Sequence, residues 1–94
     1  MDKEPPAARV EQLHEELAAT QELPVERTAS RWIGEAEAVA GDLVGVDSDS
    51  DLVYRRVSHV VDLLANVDET GDDTADQHLA EAKRLAAEVV ELTE

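Results

Sequence analysis

An all-α fold, an up-down bundle of four helices, is the class this sequence predicts, and three observations predict it. Apolar residues recur at intervals of three and four along four separate stretches, the spacing that places side chains on one face of an α-helix. Proline, glycine and aspartate-rich interruptions part those stretches. The interruptions are short, and short connections make successive helices run antiparallel. A strand reading of Val60-Val61 and Val89-Val90 is weaker, because the apolar residues around both pairs keep a period of about 3.6.

The first segment opens after Pro5-Pro6, since a residue without an amide proton suits a first helical turn. It runs to about Gln21, with Val10, Leu13, Leu17 and Ala18 as its stripe. Glu22-Leu23-Pro24 interrupts it, because the residue before a proline is pushed out of the helical region. A second helix restarts near Pro24, and Val25, Ala29, Trp32, Ile33, Ala36, Val39, Ala40 and Leu43 hold one face for about five turns, roughly 30 Å. Gly45 suits its end, as glycine takes the left-handed cap without steric cost.

A third helix is expected to take Asp49 or Ser50 as its cap, with a side-chain oxygen accepting from a first-turn amide, and to reach about Val67. Leu52, Val53, Val57, Val60, Val61, Leu64 and Val67 are its inward positions. Leu63 and Tyr54 widen the apolar arc beyond what one neighbour covers, so this helix should be central in the bundle or covered by a partner. Residues 66–73 around Gly71 form a second turn. The fourth helix follows, capped by Asp73 or Thr74, with Ala75, Leu79, Ala82, Leu85, Ala86, Val89 and Leu92 as its stripe. On it Arg84 and Glu88 stand one turn apart and can pair. If the first segment attaches loosely, the same pattern gives three helices and an amino-terminal helical arm.

A chain of 94 residues suits one domain, residues 1–94, with 1–6 expected to be disordered. Chains this short bury only roughly 60 to 65 per cent of the surface they expose when unfolded, so self-association is a reasonable expectation. The sequence holds 23 acidic and 8 basic residues, a formal net charge of -15. Such a chain repels phosphate backbones and anionic lipid, which argues against direct nucleic-acid or membrane binding. Acidic chains are often disordered, but 43% of this one is apolar and periodically placed, which argues for folding. Ala, Val and Leu supply most of that content and Phe is absent, so the core is built from small side chains. With few lysines and many carboxylates, the composition suits concentrated intracellular salt, where charges are screened over about 3 Å. An acidic partner protein would show the same balance.

Without cysteine there is no disulfide, thiolate metal site or cysteine nucleophile. Residues 1–6 lack an apolar signal core, and no stretch approaches the ~18 apolar residues of a membrane span, which points to the cytoplasm.

Several patterns touch on chemistry without completing it. Glu11 and His14 have the spacing by which carboxylate-bridged bundles hold a metal, but neither His59 nor His78 repeats it. Asp47, Asp49 and Asp51 alternate like the start of a calcium loop, yet Leu52 and Ser58 stand where that loop needs glycine and glutamate. A hydrated acidic turn capping the third helix explains them equally. Glu88, Glu91 and Glu94 give the Glu-x-x-Glu pairs of helical pyrophosphohydrolases only at the very end, and Glu35 and Glu37 point to different sides. Ser30, Ser48, Ser50 and Ser58 have no glycine elbow, while Gly34, Gly41, Gly45 and Gly71 are isolated. No catalytic residue, cofactor or metal is therefore expected.

Positive charge is concentrated more than its amount suggests. Arg27 and Arg31 lie one turn apart on helix two, and Arg55 and Arg56 are adjacent on helix three. They read as a docking point for an anionic partner, or as internal pairs of Arg55 with Asp51 and Arg31 with Glu35. Trp32 lies on the inward stripe, but aromatic residues also centre association surfaces, and Trp32 near Tyr54 would be the natural middle of a dimer contact. The candidate contact set is Arg27, Arg31, Trp32, Tyr54, Arg55 and Arg56.

Residues 22–40, Glu22-Leu23-Pro24-Val25-Glu26-Arg27-Thr28-Ala29-Ser30-Arg31-Trp32-Ile33-Gly34-Glu35-Ala36-Glu37-Ala38-Val39-Ala40, resemble a stretch in small uncharacterised helical proteins of halophilic archaea. Residues 63–71, from Leu63 to Gly71, are similar in a looser way. The resemblance implies a haloarchaeal cytoplasm and carries no activity. The functional expectation is a non-catalytic interaction module that binds itself or another protein. The alternatives are a metal-dependent hydrolase with carboxylates at a bundle mouth, and an adaptor for a DNA-bound regulator acting through Arg55 and Arg56.

Overall fold

The structure, a computed structural model, describes residues 5–45 and 49–94. Four helices fill it: α1 (Pro6–Gln21), α2 (Arg27–Gly41), α3 (Ser50–Leu64) and α4 (Asp73–Thr93). Each packs on two neighbours in a closed ring, α1 on α2, α2 on α3, α3 on α4 and α4 back on α1, while diagonal helices do not meet. This is the expected four-helix bundle. Its radius of gyration, 12.5 Å, agrees with the ~12 Å of a compact chain this long.

The alternative of a loose amino-terminal arm does not hold, because α1 packs most extensively of all, on α4. Val10, Leu13 and Leu17 of α1 are buried in the same core as Ile33, Val57, Leu64, Leu85 and Val89. Pro5 is the cap of α1 and Pro6 its first residue. The expected disorder of residues 1–4 lies outside the described residues.

α3 is no more central than the others, since it touches only α2 and α4. Two of its side chains exchange their expected places: Leu63 is 6% exposed and in the core, whereas Val61 is 38% exposed. α2 covers one flank of the apolar arc, and the outer part of the other flank stays open. Leu92, expected inward on α4, is likewise exposed. Trp32 is half-buried at the edge of the core, not inside it.

The helix ends follow local chemistry, with small departures from expectation. The Asp49 side chain accepts from the Leu52 amide at 2.8 Å, as anticipated. On α4 the cap is Asp72, one residue early, accepting from Ala75 at 2.9 Å. α3 stops at Leu64, but Val67 beyond it remains buried. α2 begins three residues later than Pro24 and is about 22 Å long, shorter than expected. The Val25 amide turns back to the Leu23 carbonyl at 2.8 Å, and the Glu26 amide leaves the segment to bond the Thr70 carbonyl at 2.9 Å. Gly45 and Gly71 have φ of 75° and 89°, the left-handed conformation that glycine adopts freely.

Thr70 ties one end of the bundle together. It is fully buried, and its amide and hydroxyl both donate to Asp76 Oδ1, at 2.7 and 2.8 Å. Its carbonyl holds the entry to α2, so one residue links the connection before α2 to the turn before α4. Thr70→Val keeps the shape and leaves the half-buried Asp76 carboxylate with one of its two donors from Thr70. We expect it to lower the unfolding free energy by about 1–3 kcal/mol, and Asp76→Ala to cost a similar amount. Because both act on one network, the double variant should lose less than the sum of the two in urea titrations at fixed salt. Additive losses would show that the two residues act separately.

Candidate functional site

Half of the ion pairs among the described residues join α1 to a neighbouring helix, and the rest lie within α3 or α4. On α1, Arg9 reaches Glu88 of α4 at 2.5 Å and Glu16 meets His78 of α4 at 2.8 Å. On its other flank His14 faces Glu37 of α2 at 3.8 Å, and Gln21 exchanges hydrogen bonds with Ser30. Gly41 gives His14 room, since a Cβ there would lie 3.2 Å from the ring nitrogen. Glu37, expected to be merely solvated, therefore helps to seat α1.

Arg84 pairs with Glu88, as expected, and also with Glu81. The hydrogen bond from Arg84 holds the Glu81 carboxyl below its ordinary value. A depressed carboxyl stabilises the fold above its unfolded-state value and loses that contribution as pH falls through the folded-state value. Both groups are exposed and screened, so the contribution is small. Lys83 donates to the Val67 carbonyl at 2.6 Å, closing the chain beyond α3.

These contacts engage Arg9, Lys83 and Arg84, while Lys3 lies outside the described residues. The remaining four basic residues, Arg27, Arg31, Arg55 and Arg56, are the four singled out in the sequence. All are exposed, on the neighbouring helices α2 and α3. Arg55 has only a loose contact with Asp51 at 3.8 Å, between side chains 68% and 84% exposed. The expected pair of Arg31 with Glu35 is not formed. Instead the Arg31 guanidinium lies 5.9 Å from the centre of the Trp32 ring, within cation–π range. Among the described residues, no carboxylate comes within ion-pair distance of Arg27, Arg31 or Arg56.

Helical geometry fixes how these side chains share a face. Ser30, Glu37 and Gly41 are on the side of α2 that touches α1. Trp32 is two residues from Ser30, about 200° round the helix, and so lies on the α3 side. Across that seam, Leu52, Arg55, Arg56 and His59 line a shallow depression on α3. Arg31 thus lies beside the half-buried Trp32, and Arg55, Arg56 and His59 line α3 across the seam, whereas Arg27 is about 140° round α2 from Trp32 and nearer the Ser30 side. Tyr54 does not join them. It lines a depression with Asp51, Thr93 and Glu94 on the opposite flank of α3, so the expected Trp32–Tyr54 centre does not form.

The other chemical patterns do not converge. Glu11 is exposed while His14 turns to Glu37, His78 is bonded to Glu16, and His59 sits on the arginine face. Among the described residues there is no group of three or more His, Cys, Asp or Glu side chains able to hold a metal ion. Asp49 caps α3 and Asp51 approaches Arg55, whereas Asp47 and Ser48 of the acidic turn lie outside the described residues. Of the carboxyl-terminal glutamates, Glu88 is engaged by Arg9 and Arg84. Ser30 serves Gln21 and Ser50 begins α3. No described helix is long and apolar enough to cross a membrane.

The inter-helix ties of α1 were the part that the sequence did not disclose. Glu16 and His78 are 62 residues apart, and nothing local to either marks the other. A family described as a domain of unknown function (DUF8152) matches residues 9–94, which includes nearly all of α1 and every other helix. No curated protein and no solved structure matches the chain.

Proposed function

The chain belongs to the DUF8152 family, and we propose that it is a non-catalytic interaction module that receives an acidic protein surface on its α2–α3 arginine face. One observation carries this reading: the four arginines that make no ion pair closer than 3.8 Å are exposed on the adjacent helices α2 and α3, one of them, Arg31, beside Trp32, in a protein of net charge -15. Guanidinium groups suit such a role because they keep their charge and make forked contacts with carboxylates. A tryptophan beside them adds apolar area, the pairing that recurs at association hot spots. The acidic surface belongs to another protein or to a second copy, since every copy carries ample carboxylate elsewhere. The reading includes a cytoplasm of high salt, in which long-range repulsion is screened and short forked contacts still act.

Capture from a lysate of the source organism, together with sedimentation of the purified protein in molar KCl, tests this. Arg55→Gln with Arg56→Gln should abolish retention of the captured protein or dissociate the oligomer. A control with Ala7→Glu and Gln77→Glu makes the same change in net charge at exposed sites on other helices and should behave as the wild type. A strict monomer that retains the same proteins with or without the two arginines would refute the proposal.

A further inference from the structure

The seam between α3 and α4, on the flank of α3 away from the arginine face, stays open to solvent. Two dents of about 260 and 310 Å³ meet at the exposed Val61. Their walls are mainly apolar, and Ser58, Val61, Ala65, Ala87 and Val90 form most of them. Apart from the two valines these are small residues, so another helix can approach closely. The border is acidic. Asp62 lines one dent, and Asp51 and Glu94 line the adjoining depression beside Tyr54. At the other end stands Lys83, but its ammonium group is directed to the Val67 carbonyl.

We infer that this groove docks a basic amphipathic helix of another protein. Apolar side chains one turn apart on that helix enter the two dents, and Lys or Arg beside them face Asp51, Asp62 and Glu94. A helix laid in an apolar groove is a recurring mode of recognition, read through anchors at three- and four-residue spacing. Charge decides the class of partner. A second copy docked groove to groove would set Asp51, Asp62 and Glu94 against their own kind. A basic helix gains both from the apolar floor and from the border. This inference does not rest on the arginine face, and each can fail alone.

A synthetic peptide of about 18 residues, long enough to form a helix on binding, provides the probe. Its leucines repeat at helical spacing, with lysines on both sides of the stripe; a scrambled peptide of equal composition is the control. Titrations in about 0.15 M KCl, where longer-range attraction is largely screened, should show the patterned peptide binding roughly tenfold or more tighter than the scrambled one. Val61→Glu and Ala87→Glu, exposed positions on the two walls, should each weaken it by about tenfold. Both substitutions add negative charge, so attraction between opposite charges alone would make binding tighter. Helix content by circular dichroism should match the wild type, and Arg55→Gln with Arg56→Gln should not weaken peptide binding.

Binding that is unaltered or strengthened by Val61→Glu and Ala87→Glu would overturn the inference. So would equal binding of the scrambled peptide. If neither peptide is preferred and Val61→Glu instead converts a sedimenting dimer to a monomer, a second copy occupies the groove and the basic helix does not.

Discussion

Leu17→Ala should lower the unfolding free energy by about 3 kcal/mol, within the ~2–5 kcal/mol of buried leucine truncations. Leu17 is fully buried on α1, so the substitution removes apolar contact and leaves a void that a ring of four helices cannot readily close. A protein of this length has about 5–14 kcal/mol of stability in all, which makes the loss a large part of the total. Glu15→Ala, an exposed change on the same helix, should stay within about 0.5 kcal/mol. The comparison matters because an α1 that merely rested against three other helices could detach without unfolding them. In that case Leu17→Ala would leave the main urea transition where it was and add an early, small one. A single shifted transition is the outcome expected from α1 closing the ring.

The four helices were legible because burial on one side writes a period into the sequence. Pro6 and Asp49 announced starts, and Gly45 and Gly71 announced turns, for reasons local to each residue. Which edge of an apolar arc is covered is not local. Val61 and Leu63 lie about 160° apart on α3, at the two edges of an arc centred on Val57, Val60 and Leu64. The α2 side covers Leu63, while the outer part of the α4 side leaves Val61 open, and no pattern within α3 says so. Trp32 shows the same limit: its position belongs to the apolar stripe, but it stands at the edge where α2 meets α3.

The arginine face was half legible. Sequence placed Arg27 and Arg31 one turn apart, and put Arg55 and Arg56 side by side. That the two pairs stand on adjacent helices follows from α2 packing on α3, and that they lack strong internal partners could be seen only in the structure. Arg31 illustrates the limit, since Glu35 was available at the right spacing and the guanidinium lies by Trp32 instead.

Raising salt from about 10 mM to about 1 M should stabilise the protein by several kcal/mol, the largest solvent effect we expect. Two like charges about 20 Å apart in water repel by roughly 0.2 kcal/mol, and folding brings most of a net charge of -15 into a body of 36 × 25 × 20 Å. Many such pairs add, because the unfolded chain holds its charges farther apart. The screening length falls from about 30 Å to about 3 Å over this range of salt, so most of the repulsion present at the start is gone at the end. The ion pairs oppose the trend only weakly, since Arg84 with Glu81 and Arg55 with Asp51 are exposed and worth little at any salt. For a domain this size each kcal/mol moves the melting temperature by about 4–8 °C, so thermal scans in KCl should show a steep rise that flattens once screening is nearly complete. Binding of particular ions at the acidic surface would instead keep raising it through molar concentrations and make potassium and sodium differ. A melting temperature indifferent to salt would mean that the surface carboxylates do not set the stability of this fold.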